Sequence, residues 1–449
     1  MQSGYFKIIV AALALCVSVN AFSADADLDA LRAAIEELRS DYEGRIAELE
    51  RRLTVAEQNA KQARAAPQPA SMGATRTAAA ASGNAAFNPA IGVIFQGNAW
   101  RHGDDPDSFY IPGFPIGGEA GPISEGMSIG ETEIDISANV DDKFTAWLTA
   151  PIVIEDGEPK IEVEEAWIET TAMPAGLSLR LGRFFSGIGY LNAKHQHSWD
   201  FADQPLPYQA FLGDQYLDDG LQVRWVAPTD LYMEFGTELL NGGRYPSEGS
   251  DNSGFGAQSL FVNVGGDVGT DNSWLAGVSY LDASAIDRPS GDEDDPLLFT
   301  GDSAVMTAQF VWKWAPNGNW KQKNLVIQSE YMWRREDGSY TLPGGSVLAY
   351  DTRQRGWYLQ GVYQPFPRWR FGARIDGLSA NSPGSAFDGT LLAVPDDDPM
   401  RYSLMTDWSN SEFSRLRFQY TRDEAGILDD NEFGLQYIFS IGAHGAHSF

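Results

Sequence analysis

The sequence predicts an all-β transmembrane barrel of about 16 antiparallel strands, preceded by a short α-helical coiled coil. Three observations carry that expectation. From residue 87 onward the chain falls into runs of about ten residues with a period of two, apolar on one face and polar on the other. The connections between these runs alternate between very short and long. The chain also opens with a secretory signal, while no stretch approaches the roughly eighteen apolar residues of a membrane helix.

Residues 1–21 form the signal peptide. Lys7 precedes an apolar run that ends on Val19-Asn20-Ala21, with cleavage after Ala21 or Ala24. The only cysteine, Cys16, lies inside it, so the mature chain has no disulfide or thiolate chemistry. Residues 22–64 read as a periplasmic coiled-coil helix. Leu28, Leu31, Ile35, Leu38, Tyr42, Ile46, Leu49, Leu53 and Ala56 follow three-and-four spacing with one extra step of four. Such a helix is marginal alone in water and calls for copies of itself or its own domain. Residues 65–86 are a Pro/Ala/Gly/Ser linker, and residues 87–449 are the barrel.

The predicted strands cover 90–100, 129–140, 143–154, 160–171, 177–185, 220–227, 231–240, 257–268, 273–282, 303–314, 323–335, 351–364, 369–378, 400–408, 413–422, and 431 to the terminus. In the eleventh, Leu325, Ile327, Tyr331 and Trp333 face outward while Asn324, Gln328, Glu330 and Arg334 face inward. Met306, Ala308, Phe310, Trp312 and Trp314 give the tenth a lipid face ending in an aromatic girdle. A soluble sandwich would not keep the long/short loop alternation through eight hairpins.

About thirty residues separate the fifth and sixth strands, too aromatic and Pro-rich for a linker. An ordered loop of that length is usually functional. Here it is read as a constriction loop folded into the lumen, carrying His195, His197, Trp199 and Asp200. By alternation, Arg180, Arg224, Arg370, Arg374, Arg415 and Arg417 face the lumen. So do Glu131, Glu133 and Asp135 on the second strand, Glu162 and Glu164 on the fourth, and Glu234 and Glu238 on the seventh. Opposed basic and acidic walls either select solutes by a transverse field or pair across neighbouring strands to keep the lumen polar.

A net charge of -30 excludes a nucleic-acid partner. The acid is densest in expected external loops: Asp104, Asp105 and Asp107; Asp292, Glu293, Asp294 and Asp295; Asp396, Asp397 and Asp398. These clusters are either solvated surface or places where divalent cations bridge to lipopolysaccharide. His195-x-His197 supplies too few ligands for a zinc centre by itself, and a loop-packing or eyelet role is favoured over metal. His444 and His447 are weaker still. Ser198, His197 and Asp200 are adjacent in sequence rather than convergent in space, so no hydrolase triad is read. No enzyme activity and no cofactor are expected.

The segments GRFFSGIGYLN, HSWDF, AFLG, DDGLQVRWVAPTD and QYIFSIGAHGAHSF resemble a group of proteobacterial outer-membrane proteins often labelled zinc-regulated or TonB-dependent receptors. The whole layout of signal, coil, linker and barrel resembles the DcaP-like trimeric porins, relatives of the porin O and P family. A TonB-dependent transporter needs a plug in a 22-stranded barrel, and residues 22–87 leave no room for one. The terminal Phe449 resembles the signal read by the barrel assembly machinery. The resemblance implies a homotrimer in the outer membrane of a Gram-negative bacterium, in contact with lipid and lipopolysaccharide. It implies passive diffusion of small hydrophilic solutes, among them small anions such as dicarboxylates. The competing reading is a structural protein that tethers the membrane to the cell wall through its coil.

Overall fold

A computed structural model describes residues 89–442, apart from 104–105, 107–108, 118–119, 156–157, 250–253 and 292–295. The signal, the coil, the linker and Phe449 lie outside the described residues, as do Asp104, Asp105, Asp107 and the acidic run 292–295. Asp396, Asp397 and Asp398 are described and are exposed.

Sixteen antiparallel staves close on themselves. They are β1 Ala90–Arg101, β2 Gly126–Ile129 with Thr132–Asn139, β3 Phe144–Glu155, β4 Glu158–Ile161 with Glu165–Thr170, β5 Leu177–Phe185, β6 Leu217–Val226, β7 Tyr232–Leu240 and β8 Ala257–Val268. The ring continues with β9 Asn272–Ser290, β10 Leu297–Trp314, β11 Asn324–Thr341, β12 Val347–Phe366, β13 Trp369–Ala380, β14 Met400–Ser411, β15 Ser414–Glu424 and β16 Asp430–Gly442. Every stave pairs with its sequence neighbours, and β1 meets β16 from Gly92↔Gly442 to Arg101↔Phe433, which leaves no free edge.

The period of two sets inside from outside. Along β11, Gln328, Glu330, Met332 and Arg334 are buried toward the lumen, while Trp333 is exposed on the outer wall. Apolar outer residues such as Met306, Phe310, Leu359, Leu404, Phe418 and Tyr437 form a lipid-facing band. At its upper limit the outer face turns ionic: Arg335 pairs with Asp337 at 2.9 Å.

Two features depart from the strand reading. First, β9 to β12 are much longer than expected, reaching 20 residues in β12. Such a strand rises roughly 65 Å, more than twice the apolar band of about 25 Å. The expected loop 283–302 is largely strand, because Phe299, Tyr340, Tyr350 and Phe387 pack inside the tall wall, where sequence showed mainly the acidic run. Second, β2 and β4 are each interrupted by a bulge. Ile129 and Glu133 stand opposite Gly97 and Ile94 of β1, four steps against three. Ile161 and Glu165 stand opposite Ile152 and Thr149 of β3, again four against three. One extra residue reverses the side-chain parity. Below its bulge, β4 therefore turns Glu165, Trp167 and Glu169 inward, which strict alternation from Glu162 and Glu164 misplaces.

Candidate functional site: the inner loop and the two cavities

The loop between β5 and β6 folds into the barrel. Its centre is a short helix, α1 Leu206–Leu212, begun by Pro207 in the first turn and stopped by Gly213 in the left-handed region at φ 64°. All seven of its residues are buried. Phe211 and Tyr208 belong to an apolar cluster that joins the loop to Met332 and Tyr358 of the wall and to Phe114 of the first long loop. Arg334 donates to the carbonyl of Ala210 at 2.8 Å, satisfying a carbonyl near the helix end.

The loop is held by opposite chemistry in two successive stretches. Its opening stretch offers backbone N–H groups to wall glutamates. Glu238 accepts from Gly187 N at 2.8 Å, and Glu330 accepts from Tyr190 N at 3.0 Å; the hydroxyl of Tyr208 on α1 also donates to Glu330, at 3.0 Å. The stretch from His197 to Asp203 offers carboxylates and carbonyls to wall arginines. Arg370 donates to Asp200 at 2.8 Å, Arg374 to Asp203 at 2.6 Å, Arg415 to His197 O and Arg417 to Trp199 O, each at 2.6 Å. Burial works against the Asp203 charge, yet Arg374, Arg401 and Gln419 hold its carboxyl below the ordinary aspartate range. Four of the six arginines expected at the lumen thus face inward and bind the loop. Arg401 joins them outside that set of six, and alternation with Ser403, Met405 and Asp407 along β14 is the sequence signal that places it inside.

Arg180 and Arg224 stand apart. Both face a cavity of about 800 Å³ on the short-turn side of the loop, together with Trp147, Trp167, Tyr190 and Lys194. Their charge is shared with glutamates: Glu169 accepts from Arg180 at 2.7 Å and from Arg224 at 2.7 Å, and Glu234 lies 3.6 Å from Arg224. Arg180 also covers the Trp167 ring at 4.0 Å. Burial, with Lys313 nearby, lowers the Lys194 ammonium to about 8. Asp135 and Glu165 line the same cavity, so its wall carries both signs.

A second cavity of about 470 Å³ opens on the long-loop side, lined by Glu131, Glu162, Glu164, Gln196, Trp199 and Asp203 among others. The wall between the cavities is the segment His195-Gln196-His197 against the two bulges. His195 lines the larger cavity and Gln196 the smaller. His195 Nδ1 lies 3.2 Å from Glu164 and 3.5 Å from Glu133, and its Nε2 lies 3.1 Å from Glu165. His197 Nδ1 lies 2.8 Å from the other oxygen of Glu133. Burial alone would lower the His195 pKa, but these carboxylates hold it well above the ordinary histidine value. The bulge puts consecutive Glu164 and Glu165 on the same histidine, a juxtaposition that strand alternation forbids.

No family model matches the chain. A protein of Aquifex aeolicus described only as uncharacterised is 32% identical over 355 residues, covering 74% of this chain and 72% of its own length. Among solved structures, the outer-membrane channel DcaP of Acinetobacter baumannii is similar in fold at 12% identity, covering 79% of this chain and 97% of that one, with a TM-score of 0.49. The trimer form of the outer-membrane protein OmpT of Vibrio cholerae is similar at 13% identity, 79% and 99% coverage and a TM-score of 0.49. An anion-selective porin from Comamonas acidovorans is similar at 9% identity, 79% and 99% coverage and a TM-score of 0.48.

Proposed function

The chain belongs to one family with the Aquifex aeolicus protein, and we propose that it is an outer-membrane porin of the DcaP-like kind, admitting small hydrophilic solutes by passive diffusion. One observation carries this reading. The closed barrel holds two cavities with charged side chains in their walls, one on each side of an infolded loop, so a solute entering from either end meets open space up to the septum. A barrel serving only as an anchor has no need of such cavities. The finer part of the reading is a site for small carboxylates beside Arg180 and Arg224, where an anion competes with Glu169 for the two guanidiniums. Because Glu169 and Glu234 already compensate much of that charge, the selectivity expected is modest. Assembly as a homotrimer, contact with lipopolysaccharide and insertion by the barrel assembly machinery belong to the same proposal.

Planar-bilayer recording tests it. Purified protein that inserts should give stepwise conductance with a reversal potential displaced mildly toward anions in a salt gradient. Folded, inserted protein that passes no current would favour the tether instead. Crosslinking of the intact chain should trap three copies, and a clean monomer would remove the trimer.

A further inference from the structure

Three buried polar atoms of the septum, Glu133 Oε2, Glu164 Oε2 and His195 Nδ1, face one another as an ion-paired cluster at 3.2 and 3.5 Å, and none of them makes an aligned hydrogen bond. Glu133 is fully buried and Glu164 is nine-tenths buried. The three residues offer ligand atoms that all lie within 4.8 Å of one another. We propose that Glu133, Glu164 and His195 bind one divalent transition-metal ion, of which zinc is the type, between the loop and the bulged staves β2 and β4.

The spacing suits such an ion. A tetrahedral centre with bonds of about 2.0 Å has ligand-to-ligand edges of about 3.3 Å, and the two edges at His195 Nδ1 are 3.2 and 3.5 Å. One imidazole nitrogen with two carboxylate oxygens is a borderline donor set, better matched to zinc and its neighbours than to calcium or magnesium, which prefer oxygen alone. Three protein ligands leave a fourth position, within reach of water from the cavities.

The surroundings orient the ligands as metal sites require. His195 Nε2 points at Glu165 Oε2 at 3.1 Å, and Glu165 in turn accepts from the Trp167 indole at 3.0 Å. The second oxygen of Glu133 is held by His197 at 2.8 Å. The His195 ring stacks on His197 at 5.6 Å and meets Phe185 edge-on at 5.5 Å, which leaves it little freedom to turn. Charge points the same way. Glu133, Glu164 and Glu165 crowd one histidine, while Arg180, which lines the same cavity, is taken up by Glu169. Binding at Nδ1 releases any proton the ring carries there. The ion would pin the inner loop to two staves at the wall between the two cavities.

The inference goes beyond the channel reading and is tested by binding alone. Full-length protein in detergent is stripped with a chelator and titrated with zinc by calorimetry. One saturable ion per chain is expected at this site. It should be lost in Glu164→Gln and in His195→Gln, weakened by about 10–100-fold in Glu165→Gln, and kept in His102→Gln, which alters a second acid–histidine trio among the described residues, His102 with Asp430 and Glu432. Absence of saturable binding in the unaltered protein, or binding unchanged by both ligand substitutions, overturns the site. Should those variants not fold, X-ray absorption on the zinc-loaded His102→Gln protein decides. A shell of one imidazole with oxygens supports the proposal, and a shell without imidazole overturns it.

Discussion

Replacing Asp203 by asparagine should loosen the stretch of the inner loop from His197 to Pro205 while the barrel stays folded. Asp203 accepts from Arg374 at 2.6 Å, from Gln419 at 2.6 Å and from Arg401 at 3.2 Å, with its side chain 14% exposed. Breaking a buried charge pair costs about 3–5 kcal/mol. The lower end applies here, because Arg374 keeps Asp376 and Arg401 keeps Asp423. About 3 kcal/mol is roughly a 100-fold shift toward the undocked segment. Helix α1 does not follow it. Burying Leu206, Tyr208, Phe211 and Leu212 at about 1.5–3 kcal/mol each outweighs the lost clamp. The effect is therefore local, confined to the stretch from His197 to Pro205. Single-channel recording should show a noisier open level, and limited proteolysis should cut within that stretch while the thermal unfolding of the barrel changes little. A folded variant with the same noise and the same protease resistance would refute the clamp.

Phe211→Ala, by contrast, empties a fully buried site in the loop's apolar core and should cost about 3–5 kcal/mol, read as a lowered unfolding temperature in detergent. The Asp203 carboxyl has a lower pKa folded than unfolded, so its contribution is complete above the unfolded value of about 3.9 and is lost as pH falls through the folded one. Channel noise should hold its neutral-pH level down to about pH 4 and rise only below that; a rise beginning near pH 6 would assign the clamp to another group. Arg180→Gln with Arg224→Gln should move the reversal potential toward cations and weaken block by small carboxylates. Unchanged selectivity would make the pair structural and leave the preference to the acidic loops.

The length and the aromatic, proline-rich content of the fifth connection only suggested that it folds inward, while composition and periodicity alone determined the barrel, its sixteen staves and the short-turn and long-loop ends. That was possible because a lipid-embedded sheet imposes a strict period of two, visible in any single strand such as β11. The same alternation identified Arg370, Arg374, Arg415 and Arg417 as lumen-facing. Whether they meet solute or loop could not be read, since that depends on Asp200 and Asp203 arriving from about 170 residues away. Only the tertiary structure decided the septum. A bulge adds one residue without a reliable sequence mark, so Glu165 changes face and joins Glu164 and Glu133 around His195. The tall strands β9 to β12 were hidden for a related reason. Their upper halves bury aromatic and ionic groups such as Phe299 and Arg288 inside the wall and against other loops rather than against lipid.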